Sequence, residues 1–192
     1  MATQTSPIEQ PVLLPRPGSW RVDPSRSRVA FAVRKLGAGT VRGSFADVDG
    51  ELVVAGNQMS ALGSVRVASM TTGNEDRDSH LRSPGLFAAD EFPEIVFVSR
   101  EVVGTAAQGA RIRGDLTIRD RSREVELSAR PADGPDGASR LEVRGEIDRR
   151  DFGLTWNRGI EASGVISTKV RIELDLLLVA ERALASDAHE TK

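Results

Sequence analysis

Cysteine is absent from the chain, which removes disulfides, thiol nucleophiles and thiolate metal sites together. Histidine is scarce: His80 lies in the folded region and His189 in the polar C-terminal tail. One imidazole without thiolates is too little for a zinc site, and no metal is expected. Lysine occurs only at Lys35, Lys169 and Lys192, so arginine carries the positive charge. Acidic residues are interspersed with these arginines and the formal net charge is -2 at pH 7, the balance of a solvated charged face. Neither a nucleic-acid partner nor polybasic attachment to a membrane is expected. No apolar run is long enough to span a bilayer. The opening MATQTSPIEQPVLLPRPGS lacks a basic segment followed by an apolar one, so a cytoplasmic location is the expectation. The Gly-x-Ser-x-Gly elbow, the P-loop and a Gly-x-Gly-x-x-Gly opening a helix are also missing, and with them the common enzyme signatures.

What the chain does have is the composition of a globular protein, 39% hydrophobic and 28% charged over 192 residues, enough for one domain. Residues 1–19 carry Pro7, Pro11, Pro15 and Pro17 and read as a disordered or extended leader. From Trp20 to residue 180 apolar and polar residues alternate in short runs, and residues 181–192 form a polar tail expected to fray. Runs with period two fall at Val29 to Val33, Val41 to Phe45, Ser64 to Ser69, Ile95 to Val103, Ala110 to Ile118, Glu124 to Arg130, Leu141 to Ile147 and Val170 to Leu178. Gly37 and Gly39 mark a reversal, Asp49-Gly50 reads as a hairpin turn before Leu52 to Ala55, and Pro131 to Ser139 reads as a loop. The pattern predicts an all-β, antiparallel sheet of about eight strands, closed into a barrel or stacked as a sandwich.

One segment breaks the alternation. Gly73 to Pro93 reads as a helical insertion: Asn74 is a helix N-cap, Glu75 and Asp76 place negative charge in the first turn, and Ser83-Pro84-Gly85 stops the helix. Leu81, Leu86, Phe87 and Phe92 crowd together there without period two, as a cover over something apolar would require. A second feature repeats in three strands. Gly43, Gly114 and Gly145 each take an inward position between two large apolar residues. These glycines either relieve curvature or leave space for a bound molecule, and the two roles are compatible. The neighbouring Arg42, Arg113 and Arg144 point outward.

Several motifs in order resemble the YceI-like family. They are Trp20-Arg-Val-Asp23-Pro24-Ser-Arg-Ser27-Arg-Val-Ala-Phe31, Thr40-Val-Arg-Gly43-Ser-Phe45, Thr72-Gly73-Asn74-Glu-Asp-Arg77-Asp78-Ser-His80-Leu81, Phe92-Pro93-Glu-Ile95-Val-Phe97 and Asp148-Arg149-Arg-Asp151-Phe152-Gly153-Leu154. The resemblance covers Trp20 to Val179. It implies a lipocalin-like antiparallel β-barrel with one helical insertion, a lumen that encloses a long isoprenoid chain, and a non-catalytic binding or carrying role. Many relatives are periplasmic. In the first strand Arg26 and Arg34-Lys35 stand where relatives often have His.

On this reading the ligand is a polyisoprenoid or isoprenoid-quinone-like lipid, and no other cofactor is expected. Burial gains about 0.8 kcal/mol per CH₂, so each isoprene unit could contribute up to ~3–4 kcal/mol before ordering costs. An apolar tube therefore suffices without a strong polar anchor. The candidate lining is Phe31, Val33, Val41, Phe45, Val67, Phe97, Leu116, Val143, Ile172 and Leu174, with Leu81, Leu86 and Phe87 as a lid and His80 at the mouth. Arg77, Asp78 and His80 would tie down the insertion, with Asp151 or Arg149 as partner, or face a polar head group. Two other readings stand beside the carrier: an isoprenoid-modifying enzyme using Asp78, His80 and Asp151, and an interaction module in which Trp20 and Phe152 to Trp156 form a docking surface. An open sheet edge would also leave room for a homodimer.

Overall fold

The computed structural model describes residues 15–181, without 38, 57, 106–108, 133, 136 and 137. Most of the leader and the tail beyond 181 lie outside the described residues. The strands are β1 (Gly18–Val22), β2 (Arg28–Lys35), β3 (Gly39–Phe45), β4 (Val48–Ala55), β5 (Gln58–Arg66), β6 (Met70–Thr71), β7 (Glu94–Thr105), β8 (Gly109–Ile118), β9 (Arg121–Ala132), β10 (Ser139–Asp148) and β11 (Ile166–Ala180). Two helices interrupt them, α1 (Glu75–Arg82) and α2 (Arg158–Ser163).

All pairings are antiparallel, and the sheet closes because β11 pairs with β10 on one side and with both β2 and β1 on the other. The C-terminal end of β11 takes β1, with Val22 opposite Leu178, and the rest takes β2, with Phe31 opposite Ile172. β1 and β2 are thus one barrel strand broken by the 3-10 turn Pro24–Arg26, which Asp23 caps by accepting from the Ser25 N–H. β3 and β4 form a second broken strand, and β5 and β6 a third, interrupted by the 3-10 turn Val67–Ser69. The result is a closed eight-stranded antiparallel barrel in which sequence neighbours are sheet neighbours. Alternation accounts for it: β4 buries Val48, Gly50, Leu52 and Val54 and turns Asp49, Glu51 and Val53 the other way.

Three local expectations change. Asp49-Gly50 lies inside β4, paired with Ser64 and Gly63, because Gly50 packs beneath Val22 and leaves the inner face no room for a side chain. β1 begins at Gly18, so the last leader residues belong to the barrel, where Pro15 is buried and the Arg16 carbonyl accepts from Trp20 Nε1 at 2.8 Å. α2 carries no hydrophobic period, and the one local signal for it is the preceding N-cap Asn157, which accepts from the Ile160 N–H.

The core is divided along the barrel. Trp20, Val22, Val48, Leu52, Val54 and Leu178 pack around one end. Leu116, Ile118, Ile147, Phe152 and Leu154 pack near the other, where Phe87 joins them from the helical insertion.

Candidate functional site

Between these two clusters the barrel holds a cavity of about 280 Å³ with almost wholly apolar walls. Its size is at the lower end of small-molecule sites, roughly 300–1,000 Å³. Every barrel strand except β6 contributes to the wall, through residues such as Val29, Val48, Ala61, Ile95, Ile112, Val125, Leu141 and Leu176. Leu81, Leu86 and Phe87 close it from the insertion.

The repeated glycines do not supply this space. A Cβ on Gly43 would fall 2.7 Å from Phe31 Cε1, one on Gly114 would lie 2.6 Å from Phe97 Cζ, and one on Gly145 would run into Leu127 Cδ2. Each missing side chain is replaced by a neighbour's: Phe31 and Leu127 are the direct cross-strand partners of Gly43 and Gly145. This is the covering of a strand glycine by a large neighbouring side chain. The ligand-space reading of these three positions is therefore overturned, and the curvature role remains.

The insertion is held by its start. Asn74 accepts from the Arg77 N–H at 2.9 Å, and the buried Asp78 carboxylate accepts from the Thr72 N–H, the Thr72 hydroxyl and the Thr71 hydroxyl. Arg77 donates to the Thr72 hydroxyl and carbonyl, and Arg82 donates to the Met70 carbonyl. Burial pushes the Asp78 carboxyl up, but the hydrogen bonds from Thr72 and Thr71 outweigh it, and its pKa lies below the ordinary value. α1 is thereby stitched to β6 and carries its following loop over the barrel mouth.

On the same end, the turn Arg149–Phe152 leads into α2. Arg149 is 2% exposed and lines the cavity, yet all its donors are occupied. They reach the carbonyls of Leu154 (2.8 Å), Ser167 (3.1 Å) and Ile166 (3.3 Å) and both oxygens of Glu161 (2.7 and 3.2 Å). The guanidinium also stacks 4.7 Å from the Trp156 ring, and Glu161 accepts from the Trp156 N–H. The Arg149 hydrogen bonds hold the Glu161 carboxyl below its usual range against the effect of burial. With no donor free, Arg149 is a brace for this end of the lumen rather than an anchor for a polar ligand.

A model of the YceI-like domain matches residues 20–178. A UPF0312 protein of Staphylococcus aureus strain MSSA476 is 32% identical over 159 residues, 77% of this chain and 88% of that one. The chain belongs to the YceI-like domain family. Among solved structures, BcnA of Burkholderia cenocepacia superposes with a TM-score of 0.73 at 19% identity, over 81% of this chain and 98% of that one. A polyisoprenoid binding domain from Saccharophagus degradans superposes with a TM-score of 0.61 at 19% identity, over 84% and 98%. A Campylobacter jejuni YceI protein superposes with a TM-score of 0.58 at 24% identity, over 71% and 84%.

In this YceI-like barrel, Phe31, Val33, Phe45, Leu81, Leu86, Phe87, Phe97, Leu116, Val143, Ile172 and Leu174 stand on the cavity wall. Val41, Val67 and His80 do not. Val41 lies beyond the cavity near the β2–β3 hairpin, opposite Val33. Val67 is buried, but β5 ends at Arg66 and the 3-10 turn breaks the alternation that placed it inward; its N–H donates to the Pro93 carbonyl. His80 is exposed on α1, and its backbone carbonyl accepts from Ser83. Asp78, His80 and Asp151 form no cluster: Asp78 is spent on Thr71 and Thr72, and Asp151 is exposed on the turn after β10. The partner of Arg149 is Glu161, not a residue of α1. The docking surface also dissolves, since Trp20, Phe152 and Leu154 are buried and Trp156 faces the lumen. Among the described residues no group of His, Asp and Glu is arranged to hold a metal ion. Some further wall residues stand two places along from predicted ones, as Val29 does from Phe31 and Ile95 from Phe97, whereas β4, β5 and β9 line the cavity where no residue was predicted, and Arg149 and Trp156 reach it from the turn and loop after β10.

Proposed function

We propose that the protein is a non-catalytic carrier that binds one long isoprenoid lipid, of polyprenyl or isoprenoid-quinone type, in the barrel lumen. The observation that carries this reading is the apolar cavity beneath Leu81, Leu86 and Phe87, with no free polar donor from Arg149 on its wall. Such a wall pairs with hydrocarbon and offers nothing to a charged substrate. Likeness to a fold whose Saccharophagus degradans member is described as a polyisoprenoid binding domain supports the same choice. The lid reaches the mouth on a single helix fixed by Asp78, so lipid entry would proceed by movement of the loop after α1 with the barrel intact. Mass spectrometry of an organic extract from the purified protein tests the proposal. A stoichiometric isoprenoid is expected; an extract without any apolar molecule, together with failure of the stripped protein to take up an added prenyl lipid, would sink it.

A further inference from the structure

The inner wall is bare at one position on β5, between β4 and β7. Gly50 pairs with Gly63 across β4 and β5, and Gly63 pairs in turn with Phe97 on β7. Directly opposed residues point to the same face of a sheet. That face is the inner one, because a Cβ on Gly50 would lie 2.9 Å from Val22 Cγ2, and Val22 lines the cavity. Phe97 does not fill the gap, since its ring lies over Gly114 on the other side. A Cβ on Gly63 would meet only the Asp49 carbonyl oxygen, at 3.8 Å. Gly43, Gly114 and Gly145 are covered by neighbours; Gly63 opens on empty lumen. Its φ is not in the left-handed region either. A strand glycine ordinarily answers to backbone conformation or to close packing. At Gly63 both reasons are missing, and what the residue provides is width.

We propose that Gly63 is the specificity-determining notch of the lumen: it receives a methyl branch of the bound chain and so favours branched over straight-chain lipids. This rests on the carrier reading above. A straight chain lying along the lumen leaves the notch empty and forgoes the dispersion contacts of its walls. A methyl group projecting from the chain fills it.

The test uses the full-length protein, stripped of lipid and titrated calorimetrically with phytanol and hexadecan-1-ol, which share a saturated main chain and differ in phytanol's methyl branches. The unaltered protein should bind phytanol about tenfold more tightly, the scale of discrimination one buried methyl group supports. Gly63→Val should abolish most of that preference by weakening phytanol about tenfold while moving hexadecan-1-ol less than about threefold. It should also leave the melting temperature of the empty protein unchanged or higher, because valine occupies free volume. If the unaltered protein binds neither alcohol, the carrier reading itself fails. If it binds both and folded Gly63→Val keeps the original ratio, or loses both alcohols equally, the notch is overturned. Should Gly63→Val melt lower, Gly63→Ala decides: the ratio must still fall, and an unchanged ratio overturns the inference.

Discussion

Arg149 ties together the turn, the loop and the helix at the barrel mouth. It is buried, spans Glu161 and three backbone carbonyls, and sits against Trp156. Removing one partner of such a pair leaves the other uncompensated, so Arg149→Ala should destabilise the fold by about 3–5 kcal/mol in urea unfolding. Arg149→Lys should recover little, because an ammonium cannot present the planar fork that Glu161 and the carbonyls accept. Glycines rank by their surroundings in the same way. A Cβ on Gly114 would press on backbone, 2.8 Å from Ser99 Cα, whereas one on Gly63 meets open space. Gly114→Ala should therefore cost about 1–3 kcal/mol of stability while Gly63→Ala costs almost none, measured side by side by thermal melting. Arg149 was visible in the sequence as a motif residue. Its role was not, because its partners lie 5 to 18 residues away along a turn and a helix with no periodic signature.

At the scale of elements, α1 was legible in full. Asn74, the acids after it and Ser83 act on the backbone within a turn of their own position, so the sequence contains the whole cause. What α1 is fastened to depends on Thr71 and Thr72, which the fold brings to Asp78. The Asp78 pKa is lower in the folded chain than the ~3.9 of an unperturbed aspartate, so its carboxylate adds stability above that value. The contribution fades as pH falls through the folded pKa. The melting-temperature advantage of the natural protein over Asp78→Asn should accordingly be full near neutrality and shrink below about pH 4. An advantage that stays constant into acid would show that the charge is not what holds the insertion. Asp148, which caps the turn at Arg149–Phe152, is held at about 2 chiefly by its hydrogen bond from Arg150.

The whole molecule is a closed wall around an apolar void, and its response to ligand follows from that. A lipid that binds only the folded barrel raises its stability by mass action, about 2.7 kcal/mol at a free concentration a hundred times Kd. Delipidation should lower the melting temperature and re-addition of the extracted lipid should restore it, followed by scanning calorimetry. Binding should also change less than about twofold between low salt and ~0.5 M salt, since no exposed ion pair contributes to it. Strong salt dependence would point to a charged head-group site outside the lumen. Alternation along the strands, the turn glycines and the caps of α1 are local consequences of side-chain chemistry, and by themselves they determined an antiparallel all-β chain with one helical cover. Ring closure was decided only in three dimensions, because it requires β11 to meet two different partners along one strand. So was the void: whether an inward glycine is empty depends on which way a neighbouring strand's side chain turns, as Phe97 turns toward Gly114 and away from Gly63.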